Sequence, residues 1–164
     1  MDVFEIYNEV LKIVEENYKK ELGELKYKAK DILKLGMDHK DVDKMEAQEK
    51  RSLLLDFNAY IKIGIVVEIF VRSNYSLSDA AIAQIISEAR KTHEEIPSLE
   101  RSSVGRYLTD ERIATLYSHN VYRIILEKRK DNLLAAKSKG GKAYAENNVP
   151  LFDETGKFIG SQHR

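Results

Sequence analysis

Ser102-Ser103-Val104-Gly105-Arg106-Tyr107-Leu108 decides how the chain is read, because its residue types predict a short helix with two unlike edges. Val104 and Leu108 stand four apart, so one edge is apolar and anchors the segment to a core. Arg101, Ser102, Ser103 and Arg106 are the donors left on the exposed side when that pair is buried, and Gly105 permits close backbone approach. Short hydroxyls and a guanidinium in a first helical turn are what a recognition helix brings to base edges in the major groove. The segment is therefore expected to read DNA rather than to catalyse a reaction.

Charge downstream of this helix points the same way. From Arg101 to Lys142 there are ten bases against four acids, an excess concealed by a chain total of 27 bases and 27 acids. The first 72 residues lean the other way, with 15 acids to 13 bases. Neutralised phosphates release counterions, so a basic segment beside a candidate recognition helix supplies sequence-independent affinity. Lys128, Arg129, Lys130, Lys137 and Lys139 cluster without a base-reading pattern and are expected to contact phosphates.

Upstream, Ser76-Leu77-Ser78-Asp79 predicts a capping box, with Asp79 three residues after Ser76. A helix over about 80–90 follows, with Ile82, Ile85 and Ile86 facing inward and small Ala81 and Ala83 allowing close packing. Charges and Pro97 break the period between Lys91 and Glu100, which marks a turn. Leu53 to Val71 is the most apolar stretch. Asp56, Lys62 and Glu68 interrupt it, so it is expected to be a core helix and no membrane span. Met37 to Lys50 is strongly charged and reads as a turn feeding that helix, with Asp38 or Asp41 as its cap. Before it, Val3, Tyr7, Val10, Val14, Tyr18, Leu22, Leu25, Ala29 and Ile32 recur at steps of three and four, an apolar stripe on one long helix ending at Gly36. So long a stripe needs cover from a neighbouring helix, from a second copy in a homodimer, or from both.

Beyond Thr109 and Asp110, a single helix carrying the basic run is expected from about Glu111 to Ala136, stopped by Gly140-Gly141. The last residues have too few apolar side chains for a core. Within them Leu151 to Ile159 reads as a small β-hairpin, with Asp153 opening the turn and Gly156 free to take positive φ.

Ile82-Ala83, the string Arg101 to Asp110, Lys128-Arg129-Lys130 and Lys139-Gly140-Gly141 together resemble helix-turn-helix transcriptional regulators of the sporulation stage III type and related phage DNA-binding proteins. The likeness spans about residues 53–142. It implies a second helix of the motif in the major groove, with Arg101, Ser102, Ser103 and Arg106 facing DNA, and a basic segment after it on the neighbouring backbone. With Glu100 at the position usually held by a capping hydroxyl, Ser98 or Ser102 is expected to cap the recognition helix.

Other chemistry lacks its residues. Cysteine is absent, which removes disulfides, thiolate zinc sites and a cysteine nucleophile. His39, His93, His119 and His163 are scattered, and no two share the spacing that puts two imidazoles on one helix face. Asp38, Asp41, Asp43 and Glu46 resemble a calcium loop, but Met45 occupies an oxygen-ligand position and the following glycine is missing. Gly140-Gly141 before Lys142 lacks the spacing of a phosphate loop. Met1-Asp2-Val3-Phe4-Glu5 is acidic and amphipathic, unlike a secretory signal, so a cytoplasmic location is expected.

The sequence thus predicts an all-α protein with no cofactor: a helical amino-terminal region over 1–50, a helix-turn-helix DNA-binding domain with its basic helix over 51–142, and a flexible tail over 143–164. Double-stranded DNA is the expected partner, with operator occupancy as the mechanism. The competing reading is a protein-interaction factor that binds a host protein through its long helices. An accessory subunit of a recombinase or nuclease would fit the basic surface, but no catalytic residues mark it.

Overall fold

Asp2 starts the first helix by accepting a hydrogen bond from the Glu5 backbone N–H at 3.2 Å, and Gly36, at φ +91°, ends the turn that follows it. The computed structural model describes residues 1–152 and 158–163, with side chains to residue 136. Helices dominate, and the fold is all-α: α1 (Val3–Lys34), α2 (His39–Arg72), α3 (Asp79–Arg90), α4 (Arg101–Leu108), α5 (Arg112–Leu116) and α6 (His119–Asn147). None of the described helices is long and apolar enough to cross a membrane.

Contacts divide the chain into two units, Met1–Leu126 and Glu127–Arg164. Residue 50, where the sequence suggested a boundary, lies inside α2 and coincides with no break in the packing. Asp38 caps α2 by accepting from the Lys40 N–H at 3.0 Å, so the charged segment read as a turn is already helix from His39 onward.

In the first unit α1 and α2 form an antiparallel hairpin. Val10 meets Gly64, Tyr18 packs edge-on against Phe57 and Lys28 pairs with Glu49, so rising positions on α1 meet falling positions on α2. The apolar stripe is therefore covered within the chain: Val3, Val10, Val14, Leu25 and Ala29 are buried, and Ile6 joins them. Around the α2 segment from Tyr60 to Phe70 gather Ile82 and Ile86 of α3, Val104 and Leu108 of α4, Ile113 of α5 and Ile125 at the start of α6. Burying such side chains contributes roughly 1.5–3 kcal/mol each, which overrides the low helix preference of Ile and Val in α2.

Ser78 caps α3 through its hydroxyl, which accepts from the Ala81 N–H at 3.1 Å. Ser76 instead donates to the Ser73 carbonyl at 2.6 Å, so the cap sits two residues later than the expected capping box. The long helix expected after Asp110 is two helices, broken at Tyr117 and Ser118. Ser118 caps the second by accepting from the Val121 N–H at 3.1 Å. Tyr117, its backbone at φ −116°, ψ −89°, turns inward and donates to Glu68 Oε1 at 3.0 Å. Burial and that carboxylate push the Tyr117 phenol far above its usual value. Glu68 also accepts from Arg72, which reaches Glu9, so one chain of polar contacts ties α1, α2 and the end of α5.

In the second unit α6 runs past Gly140-Gly141, which do not stop it, to Asn147. Two antiparallel strands follow, β1 (Asn148–Phe152) and β2 (Phe158–His163), with Asn148 opposite His163. The turn expected at Asp153 to Gly156 lies outside the described residues.

Candidate nucleic-acid interface

Helix α4 owes its placement to two side chains. Val104 and Leu108 are fully buried, and α4 packs on α3 and α2. This anchoring fixes which edge faces out: Arg101, Ser102 and Arg106 are exposed, while Ser103 is half-buried. The Arg101 guanidinium has no protein partner among the described residues. Arg106 lies over its neighbour Tyr107, 5.3 Å from the ring centroid, an arrangement that steadies the guanidinium without occupying its donors.

The cap at the start of α4 differs from expectation, whereas its end at Thr109 does not. Glu100 provides no side-chain cap, and neither the Ser98 nor the Ser102 hydroxyl makes a hydrogen bond among the described residues. The first-turn N–H groups of α4 are thus left to solvent or to an acceptor from outside. At the other end Thr109 donates its hydroxyl toward the Gly105 and Arg106 carbonyls, at 3.2 and 3.1 Å. Asp110 then accepts from the Arg112 backbone N–H at 2.9 Å and from its guanidinium at 2.8 Å, and Arg112 also reaches Asp56 at 3.3 Å. The guanidinium of Arg112 holds the Asp110 carboxyl below its ordinary value. Tyr122 donates to the Thr109 carbonyl at 3.1 Å, which fastens the end of α4 to the first turns of α6.

The connection from Lys91 to Glu100 is longer than the 3–4-residue turn of a compact helix-turn-helix. It is nevertheless fixed. Ile96 and Leu99 are buried, Arg90 donates to the Ile96 carbonyl at 2.8 Å, and His93 stacks on Phe4 with centroids 3.8 Å apart. Ile96 and Leu99, the aliphatic residues in the otherwise polar stretch from Lys91 to Glu100, are a local signal that could have found this anchoring, but the His93–Phe4 stack joins residues far apart in sequence and leaves no local pattern.

Of the expected phosphate contacts, Lys128 and Lys130 are exposed and Arg129 is half-buried on α6, in the second unit. The side chains of Lys137 and Lys139 lie outside the described residues. The division of the chain also divides its charge. The first unit holds 22 acids to 19 bases and the second 5 acids to 8 bases. The α4 surface therefore belongs to a slightly acidic unit, and the net positive charge lies in the second.

No family model matches the chain, and neither a curated protein nor a solved structure matches it.

Proposed function

We propose that this chain is a sequence-specific double-stranded DNA-binding transcriptional regulator of phage or mobile-element type, acting in the cytoplasm by operator occupancy. The observation that carries this reading is the orientation of α4: Val104 and Leu108 are buried and Arg101, Ser102 and Arg106 are presented outward together. In the complex α4 is the helix of a lengthened helix-turn-helix that enters the major groove. Arg106 and Arg101 meet base edges, Ser102 supplies a short hydroxyl, and half-buried Ser103 reaches bases only at close approach. Lys128, Arg129, Lys130, Lys137 and Lys139 hold phosphates. A homodimer would place two such helices on half-sites about 10 base pairs apart.

Selection of bound duplexes from a random pool tests the proposal. A shared site should emerge, and Arg106→Ala should weaken it by roughly 1–3 kcal/mol while relaxing preference at one base pair. Enrichment of no sequence, or an Arg106→Ala variant with the same site and affinity, would refute it. The second reading, a factor that binds a host protein through its long helices, is favoured by one observation: the α1–α2 hairpin carries an open groove lined by Leu25 and Leu53 and by the carboxylates of Glu21, Glu24, Glu49 and Asp56 together with Lys28.

A further inference from the structure

Arg106 and Asp110 stand four residues apart, the spacing at which a guanidinium and a carboxylate along a helix ordinarily pair. They do not pair here. Helix α4 ends at Leu108, and the Asp110 carboxylate beyond it turns to Arg112. It accepts from the Arg112 backbone N–H at 2.9 Å, and from the guanidinium at 3.1 Å through Oδ1 and 2.8 Å through Oδ2, so both of its oxygens are gripped.

Arg106 stays within electrostatic reach of that carboxylate all the same. The Asp110 carboxyl is held below its ordinary value by Arg112 first, through their side-chain hydrogen bond, and by the charge of Arg106 as a smaller contribution. Among the described residues the Arg106 guanidinium makes no hydrogen bond or ion pair; it lies over the Tyr107 ring with its donors unoccupied. Without the Arg112 cation, an Asp110 side chain only 17% exposed would be left beside this free guanidinium. A partly buried carboxylate draws in the nearest cation, and a guanidinium held by a carboxylate no longer offers its fork of donors elsewhere.

We propose that Arg112 is a positioning residue for base reading: by occupying Asp110 it keeps the Arg106 guanidinium free to meet the O6 and N7 acceptors of a guanine. This rests on the reading of α4 as the base-reading helix, and it requires no contact between Arg112 and DNA. The plain alternative is a strut, since Arg112 also reaches Asp56 on α2 at 3.3 Å.

Affinity of the full chain for the duplex enriched from a random pool, divided by its affinity for a scrambled duplex of the same composition, tests the proposal. The ratio is the readout because a change of net charge acts on both duplexes alike. Circular dichroism establishes that each variant is folded at the temperature of measurement, and the Arg112 side chain, 37% exposed, can be replaced by glutamine without opening a buried cavity. Arg112→Gln should lower the ratio about fivefold or more, and adding Asp110→Asn should restore it. In an Arg106→Ala background Arg112→Gln should change the ratio no further. Asp56→Asn, which releases the strut and leaves Asp110 paired, should keep the parental ratio. An unchanged ratio in Arg112→Gln, no recovery with Asp110→Asn, a further loss in the Arg106→Ala background or a loss in Asp56→Asn would overturn the role of Arg112 and leave base reading by Arg106 in place. A parent that does not distinguish the two duplexes, or an Arg106→Ala variant with the parental ratio, would instead overturn base reading itself and this inference with it.

Discussion

Gly64 packs directly against Val10 of α1, and replacing it by alanine tests the packing of the hairpin in a way that separates two opposing effects. A Cβ at that position would stand 2.4 Å from Val10 Cγ1 and 3.2 Å from Cγ2. Val10 is fully buried and β-branched, so it has no spare rotamer into which to retreat. Overpacking of this kind costs about 1–3 kcal/mol, against a gain of about 1 kcal/mol from helix preference when glycine becomes alanine. Gly64→Ala alone should therefore destabilise by about 1 kcal/mol. Val10→Ala alone removes two buried methyl groups at about 0.8 kcal/mol each and leaves a small cavity, for a cost of about 2 kcal/mol. Together the two changes remove the clash and refill part of the cavity, so the double variant should lose only about 1 kcal/mol rather than the sum of 3. In urea unfolding, where slopes are about 1–3 kcal/mol per molar, that coupling of about 2 kcal/mol moves the midpoint of the double variant by close to 1 M relative to additivity. Additivity within about 0.5 kcal/mol would show that the helices do not meet at this pair.

Neutralising Lys128 and Lys130 together should reduce binding to all duplexes alike and lower the slope of log affinity against log salt by about 2; loss confined to one sequence would make them base readers. Asp110 is held below its ordinary value of 3.8 by Arg112, so its contribution is present above that value and is lost as pH falls from there through the depressed folded value. Asp110→Asn should lower stability at neutral pH and flatten the acid limb of the stability profile below about pH 4, and an acid limb as steep as the parent's would contradict the pairing. Tyr117→Phe should cost about 1 kcal/mol by removing the donor to Glu68, and an unchanged unfolding midpoint would remove that hydrogen bond from the account of how α5 ends.

Legibility in the sequence followed the range of the interactions. Helix α4 spans Arg101–Leu108, as the spacing of Val104 and Leu108 and the turn before Arg101 predict, because both signals are local. Gly36 likewise ends α1 through its own backbone freedom. The stripe from Val3 to Ile32 specifies that α1 must be covered but carries no information about what covers it, and α2 proves to be the cover. The break between α5 and α6 depends on Tyr117 reaching Glu68, a contact invisible to periodicity. Ser118 as a cap before His119 was a local hint of it. At the candidate site, the exposed edge of α4 was readable from two buried residues, whereas the half-burial of Ser103 depends on tertiary packing.

Burial along the hairpin is uneven, and this gives the protein two tiers of cohesion. Between Val14 and Tyr60 only Leu25, Ala29 and Val42 are buried, whereas nearly every residue from Ile63 to Phe70 is. So thin a seam is expected to open at a fraction of the cost of global unfolding, with the far end of the hairpin unfolding as its own segment while the α3–α5 base stays folded. Hydrogen exchange should find the amides there exchanging before those of the α3–α5 base, and limited proteolysis should cut first in the exposed turn around Met37. A partner that settled on this end would then be expected to register first as slowed exchange there, before any change of shape.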